Sequence, residues 1–152
     1  MLKKMYDLQK KKGKKGFSMI ELIIVLAIMA ILVALIGTQL IPYLEKSREK
    51  RDKTTLDTCK TALESVMADH EFVPSSGATT VGDVLSAIDT ATSATSGTAA
   101  TEFETYAGIG TGATPFKSSD AGTSSTVGTV SVTFDGNGVI TQMTVGTLNL
   151  IE

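Results

Sequence analysis

The sequence has one cysteine, one histidine, three prolines and no tryptophan in 152 residues, and only 5% of its residues are aromatic. A single Cys59 cannot close an internal disulfide, which excludes a small extracellular scaffold stapled by bridges. It stands at helical spacing with Leu56, Leu63, Val66 and Met67 and so reads as a small apolar side chain on a buried helix face. His70 has no zinc-ligand cluster and no cysteine or serine nucleophile motif around it, which leaves no constellation for metal-assisted or nucleophilic catalysis. No catalytic residue, metal ligand or cofactor site is assigned, and no enzyme is expected. The scarcity of rings gives no support to electron conduction through stacked aromatics, and no Asn-x-Ser/Thr glycosylation acceptor occurs.

Two motifs are explained by local geometry. Gly108-Ile109-Gly110-Thr111-Gly112 has no hydrophobic strand feeding it, and Pro115 obstructs a following helix, so it reads as a flexible loop rather than a nucleotide cradle. Asp135-Gly136-Asn137-Gly138 lacks the later glutamate of a calcium loop and reads as a hairpin turn.

Charge is absent from one long stretch and crowded beside it. Seven of the 14 basic residues fall in the first 15 positions against the lone acid Asp7, so this block carries +6 and residues 16–152 carry −8. Every side chain from Leu22 to Ile36 is apolar, and no charge occurs between Glu21 and Glu45. A bilayer core of about 30 Å needs roughly 20 helical residues, and Phe17 to Leu44 is long enough to cross it with some tilt. The basic block then reads as a topology signal rather than a nucleic-acid patch, with residues 1–15 cytoplasmic and the C-terminal part exported. The cations of Lys46 to Lys53 oppose this bias only in part, because Glu45, Glu49 and Asp52 are interleaved with them.

No small-residue A-x-A pattern follows the apolar run, which disfavours ordinary signal cleavage there. The distinctive element precedes it: Lys14-Lys15-Gly16-Phe17-Ser18-Met19-Ile20-Glu21. This closely resembles the class III leader of type IV prepilins, over roughly residues 12 to 45. In that family a membrane-embedded aspartyl peptidase cuts after the glycine and methylates the new N-terminal residue. The resemblance implies cleavage between Gly16 and Phe17 and N-methylation of Phe17. Met19 departs from the leucine common in the family, a mild exchange between flexible apolar side chains.

Glu21 stands out on physical grounds as well. A carboxylate at the centre of a spanning helix costs about 2.5–3.5 kcal/mol on insertion scales, although near the end of the span it can reach the headgroups at lower cost. Cleavage after Gly16 would create a positive amine on Phe17, four residues or about 6 Å of helix rise from Glu21. When copies stack with an axial offset, the amine of one chain can meet the carboxylate of the next in a medium of low dielectric. The resemblance implies this same registration role for Glu21 and Phe17 in assembly.

Beyond the span, Leu56, Cys59, Leu63, Val66, Met67 and His70 recur at three- and four-residue steps, which predicts an amphipathic continuation of the helix. A helix from Phe17 to about Phe72 would extend about 84 Å, too long for a domain of this size to bury. Its first half is apolar around the whole circumference, so lipid or identical helices must cover it. Gly37, Thr38 and Pro42 predict a kink or local melting at residues 37–42, because proline removes its own donor and crowds the carbonyl of Thr38. The family carries a proline in this part of the helix, and Pro42 lies about one turn later than the usual place. The resemblance implies an extensible joint.

Pro74 and Ser75 stop the helix, and of the 57 residues from Ser75 to Ser131, 40 are Ser, Thr, Gly or Ala. Thr80 is positioned to cap a short helix through Ala91, with Asp83 three residues later and Val81, Val84, Leu85 and Ile88 facing inward. Phe103 and Tyr106 anchor another short segment, and the rest reads as surface loop. From Val127 the pattern alternates: Val130, Val132 and Phe134 share one face, a turn follows, Val139 to Val145 return, and Leu148, Leu150 and Ile151 offer a third strand.

The expected organisation is a leader over 1–16, an apolar helix over 17–44, an amphipathic continuation over 45–73, a loop region with a short helix over 74–126 and a C-terminal hairpin or sheet over 127–152. The fold class is α+β, pilin-like, with the C-terminal half of the long helix packed on a small antiparallel sheet. The resemblance implies a structural subunit, read as the major pilin of an extracellular type IV pilus. Its partners would be further copies in a helical filament, the prepilin peptidase, and an assembly ATPase with its platform membrane protein. It would sit in the cytoplasmic membrane before assembly and on the cell surface afterwards, without direct contact to nucleic acid. One alternative is a pseudopilin of a type II secretion or competence DNA-uptake machine, and another is a single-pass membrane-anchored binding protein that never polymerises. The absence of a second cysteine departs from the many pilins that close a C-terminal loop with a disulfide, and points to a bacterium that does not rely on disulfides in exported proteins.

Overall fold

A computed structural model of the chain describes residues 16–92, 97–122 and 125–151, with no account of the side chain of Ile151. The lysine-rich residues 1–15, expected to form most of a leader, lie outside the described residues. The chain divides into two compact units, Met1–Ile41 and Pro42–Glu152.

In the first unit Gly16 to Ser18 have no regular structure, and helix α1 (Met19–Asp69) then begins. A run of leucine, isoleucine, alanine and valine without an interior proline before Pro42 propagates this helix readily. All its described residues as far as Ile41 are solvent-exposed, including the apolar Ile23, Leu26 and Ile31. That part of α1 is long and apolar enough to cross a membrane, and none of its described residues is buried.

The second unit contains the remainder of α1, strand β1 (Gly77–Thr80), helices α2 (Val81–Ala91) and α3 (Thr98–Ala107), a single 3₁₀ turn (Val127–Thr129), and strands β2 (Ser131–Phe134), β3 (Ile140–Val145) and β4 (Leu148–Ile151). The strands form one antiparallel sheet in the order β1-β2-β3-β4. Leu56, Cys59, Leu63 and Val66 of α1 enter one apolar core with Val84 and Ile88 of α2, Phe103 of α3, and Val132, Ile140 and Met143 of the sheet. The long helix is therefore joined to a small antiparallel sheet in an α+β, pilin-like arrangement, as the periodicities predict.

Helix α1 ends at Asp69, three residues before Phe72. The N–H of Phe72 donates to the carbonyl of Met67 at 2.9 Å and that of Glu71 to Ala68 at 3.2 Å, with Glu71 left-handed at φ 49°. This is a Schellman ending with a glutamate where glycine is usual. The cap read at Thr80 is present as a full capping box: its hydroxyl accepts from the Asp83 N–H, and Asp83 accepts from the Thr80 N–H. At the β2–β3 turn, Asp135 Oδ1 accepts the N–H groups of Asn137 and Val139, both at 2.8 Å, while its own N–H bonds the carbonyl of Val139. Gly138 adopts φ 79°, and a Cβ there would press on Val73.

Two sequence readings are corrected. The sheet has four strands rather than three, because Gly77–Thr80 pairs with Ser131–Phe134. An alternation test misses a four-residue edge strand of small and hydroxylated residues. The stretch taken as surface loop also contributes to the core: Phe116 and Ala121 are fully buried and Ser118 nearly so. The 108–112 segment is likewise tied down, with Gly128 N–H donating to Thr111 O at 2.7 Å and Val127 N–H to Ala113 O at 3.0 Å.

Candidate leader junction and assembly site

The Gly16–Phe17 bond lies in backbone without regular structure, immediately before α1, and Phe17 is 87% exposed. A scissile bond must be drawn out to enter a protease cleft, and here no helical hydrogen bond has to be broken first. Ser18 is the residue before the first helical turn, and Glu21 is the third within it. Their spacing lets the Glu21 carboxylate fold back and accept the Ser18 backbone N–H at 2.9 Å, the return half of a capping box. The only carboxylate between residues 16 and 44 thus meets one of the helix's free amides and the positive end of its dipole. This arrangement answers how one chain can hold Glu21 before any neighbour is present.

The stretch expected to kink or melt, residues 37–42, is helical in this structure. Gly37, Thr38 and Pro42 all lie within α1, which is assigned helical without interruption. The Thr38 hydroxyl donates to the Leu35 carbonyl at 3.0 Å, adding a side-chain bond where Pro42 cannot supply its amide to Thr38. The helix lacks one rung at this place and is held by flanking ones.

The comparisons with known proteins bear on this N-terminal segment. Residues 11–37 match the family model described as the prokaryotic N-terminal methylation motif, a span containing Gly16, Phe17, Glu21 and Gly37. The chain carries the type IV prepilin signature. No curated protein and no solved structure matches it. The prepilin signature covers the Gly16–Phe17 bond and most of the exposed apolar helix, and it points to a structural subunit of pilin or pseudopilin type in a membrane-anchored precursor rather than to an enzyme.

Periodicity alone missed the site that ties the second unit together. Asp52 is fully buried and accepts the backbone N–H of Ser118 at 2.7 Å and that of Lys117 at 2.9 Å. One heptad earlier, Glu45 accepts the N–H of Ser119 at 2.5 Å and pairs with Arg48 at 3.4 Å. Two carboxylates on α1 thereby hold three consecutive amides of a strap, residues 116–121, whose Asp120 carbonyl accepts both the N–H and the hydroxyl of Thr147. The signal for Asp52 was in the sequence: it occupies the apolar stripe of Leu56, Cys59, Leu63 and Val66, and a lone acid on such a stripe needs donors. At the far end of α1, His70 Nε2 lies 2.6 Å from Glu102 and the Tyr106 hydroxyl donates to Asp69 at 2.5 Å, fastening α3 to the helix terminus.

Proposed function

We propose that the chain is the precursor of a type IV pilin, cleaved after Gly16, N-methylated on Phe17 and polymerised as the major subunit of an extracellular pilus. The observation that carries this reading is the combination of the prepilin signature with an apolar helix that its own chain leaves uncovered on every side. Such a surface is stable in lipid, and identical helices can replace the lipid once subunits gather. The new amine on Phe17 would take the place of the Ser18 amide as partner of Glu21, either in the same chain or in an axially displaced neighbour. Gly37, Thr38 and Pro42, where one backbone rung is missing, would let the helix extend when it is packed at its final pitch.

In this reading the prepilin peptidase removes residues 1–16, an ATPase acting through a platform membrane protein drives insertion into the growing fibre, and the product leaves the cytoplasmic membrane for the cell surface. The Ser/Thr/Ala-rich surface of the second unit suits a subunit exposed along a fibre. The decisive experiment is mass spectrometry of filaments sheared from cells. A peptide beginning at N-methylated Phe17, from fibres composed chiefly of this chain, is the expected result. Processed chain confined to the envelope would instead identify a pseudopilin, and unprocessed chain as the final product would identify a non-polymerising anchor.

A further inference from the structure

Outside the first 15 residues the chain has seven cations, and five of them, Lys46, Arg48, Lys50, Arg51 and Lys53, fall within eight positions. The acids interleaved with them are already engaged. Asp52 is turned inward to the strap, Glu45 is shared between Ser119 and Arg48, and Glu49 pairs with Lys53 at 3.0 Å. Lys46, Lys50 and Arg51 are exposed and have no ion pair among the described residues. Lys46 and Lys50 stand at i and i+4 on one helix face, a spacing at which like charges repel. Immediately before them Tyr43 is 71% exposed, an amphipathic ring at the end of the apolar run.

We propose that Tyr43, Lys46, Lys50 and Arg51 form a collar that binds anionic phospholipid headgroups at the outer face of the membrane while the subunit resides in lipid. The inference rests on reading residues 17–44 as the membrane-spanning segment. Helix rise puts Lys46 about 3 Å and Arg51 about 10 Å beyond Leu44, within the reach of side chains that extend toward phosphates. The outermost is about one Debye length from the surface at physiological salt. Diversion of Asp52 and Glu45 to the strap is what leaves the collar's cations available. Asp52, taken up by the strap, and Glu45, shared between the strap and Arg48, thus form no ion pair with Lys46, Lys50 or Arg51. A lipid surface fits better than another copy of the chain, because helix geometry alone brings these cations to the headgroups.

The test is native mass spectrometry of the full chain released from nonionic detergent containing phosphatidylglycerol or phosphatidylcholine. The chain should retain phosphatidylglycerol preferentially. Replacing Lys46, Lys50 and Arg51 with Gln should weaken that retention about fivefold per cation, or about a hundredfold together, and high salt should erase the difference. These side chains hold no part of the core, so the variant should keep the near-UV circular dichroism of the parent, and the lipid preference of the parent is informative without it. An unchanged preference in the variant would assign the effect to the leader lysines and overturn the collar. Equal competition by inorganic phosphate, or loss of self-association without any lipid preference, would overturn it in favour of a free-anion site or a second copy. Protease protection of the apolar segment in vesicles separates the two levels: failure to insert defeats the spanning segment itself, whereas insertion without lipid preference defeats only the collar.

Discussion

The carboxylate of Asp52 lies 2.7 Å from the backbone nitrogen of Ser118, 66 residues away in sequence, and both residues are buried. A buried amide that loses its acceptor costs about 1–3 kcal/mol. Asp52→Ala should therefore remove about 2–4 kcal/mol of stability, since Lys117 and Ser118 both lose their partner. Asp52→Asn, which keeps one oxygen acceptor, should cost less. Denaturant titration of the full chain in micelles, followed by near-UV circular dichroism, measures both. Equal stability of the parent and the alanine variant would show that the strap does not depend on Asp52.

Gly146 tests the other side of the strap. It adopts φ 62°, and a Cβ would strike the carbonyl oxygens of Asp120 and Ala121. Backbone strain and overpacking each cost about 1–3 kcal/mol, so Gly146→Ala should destabilise by about 3 kcal/mol or more. A midpoint within experimental error of the parent would contradict the close packing of the β3–β4 turn against residues 120–121.

Glu71 offers a gain. It is the one described non-glycine residue at positive φ, and the left-handed region costs an ordinary residue about 1–2 kcal/mol. Glycine removes that cost while adding unfolded-state entropy of about 0.4–1 kcal/mol, so Glu71→Gly should raise stability by about 0.5–1 kcal/mol. A higher thermal midpoint is expected, and a lower one would place the helix terminus in another conformation.

Acid should loosen the second unit at two turns. Hydrogen bonds from Thr80, first its side chain and then its backbone, lower the Asp83 pKa from its ordinary value, and the backbone N–H groups of Val139 and Asn137 lower that of Asp135. A carboxylate whose folded pKa is depressed adds stability above its unfolded pKa and loses it as pH falls through the folded one. Stability should be flat near neutrality and decline below about pH 4. Asp83→Asn and Asp135→Asn should each flatten that decline when melting is followed against pH.

Glu21→Val tests assembly rather than folding. The substitution removes the one charge in the apolar segment, so the chain should insert at least as well as the parent and be processed at Gly16. Filament yield should fall sharply. Cell fractionation for insertion, the N-terminal mass for processing and sheared-fibre yield for assembly separate these steps, and normal fibres from the variant would remove Glu21 from the assembly role.

The sequence by itself determined the features set by neighbours along the chain. The apolar helix, the stripe from Leu56 to Met67, the Thr80–Asp83 cap and the Asp135–Gly138 turn all rest on residues within a few positions of one another. Their physics is that of periodicity, capping and turn chemistry. Tertiary structure alone decided which partners distant groups would find: that Gly77–Thr80 completes the sheet, that Phe116 and Ala121 are core, and that Asp52 and Glu45 reach across to amides 117–119. Backbone amides carry no mark of side-chain identity, so residue patterns show that Asp52 needs donors but not which amides supply them. Only once the chain has folded does it become apparent which of the acids beside the membrane segment are occupied and which cations they leave exposed.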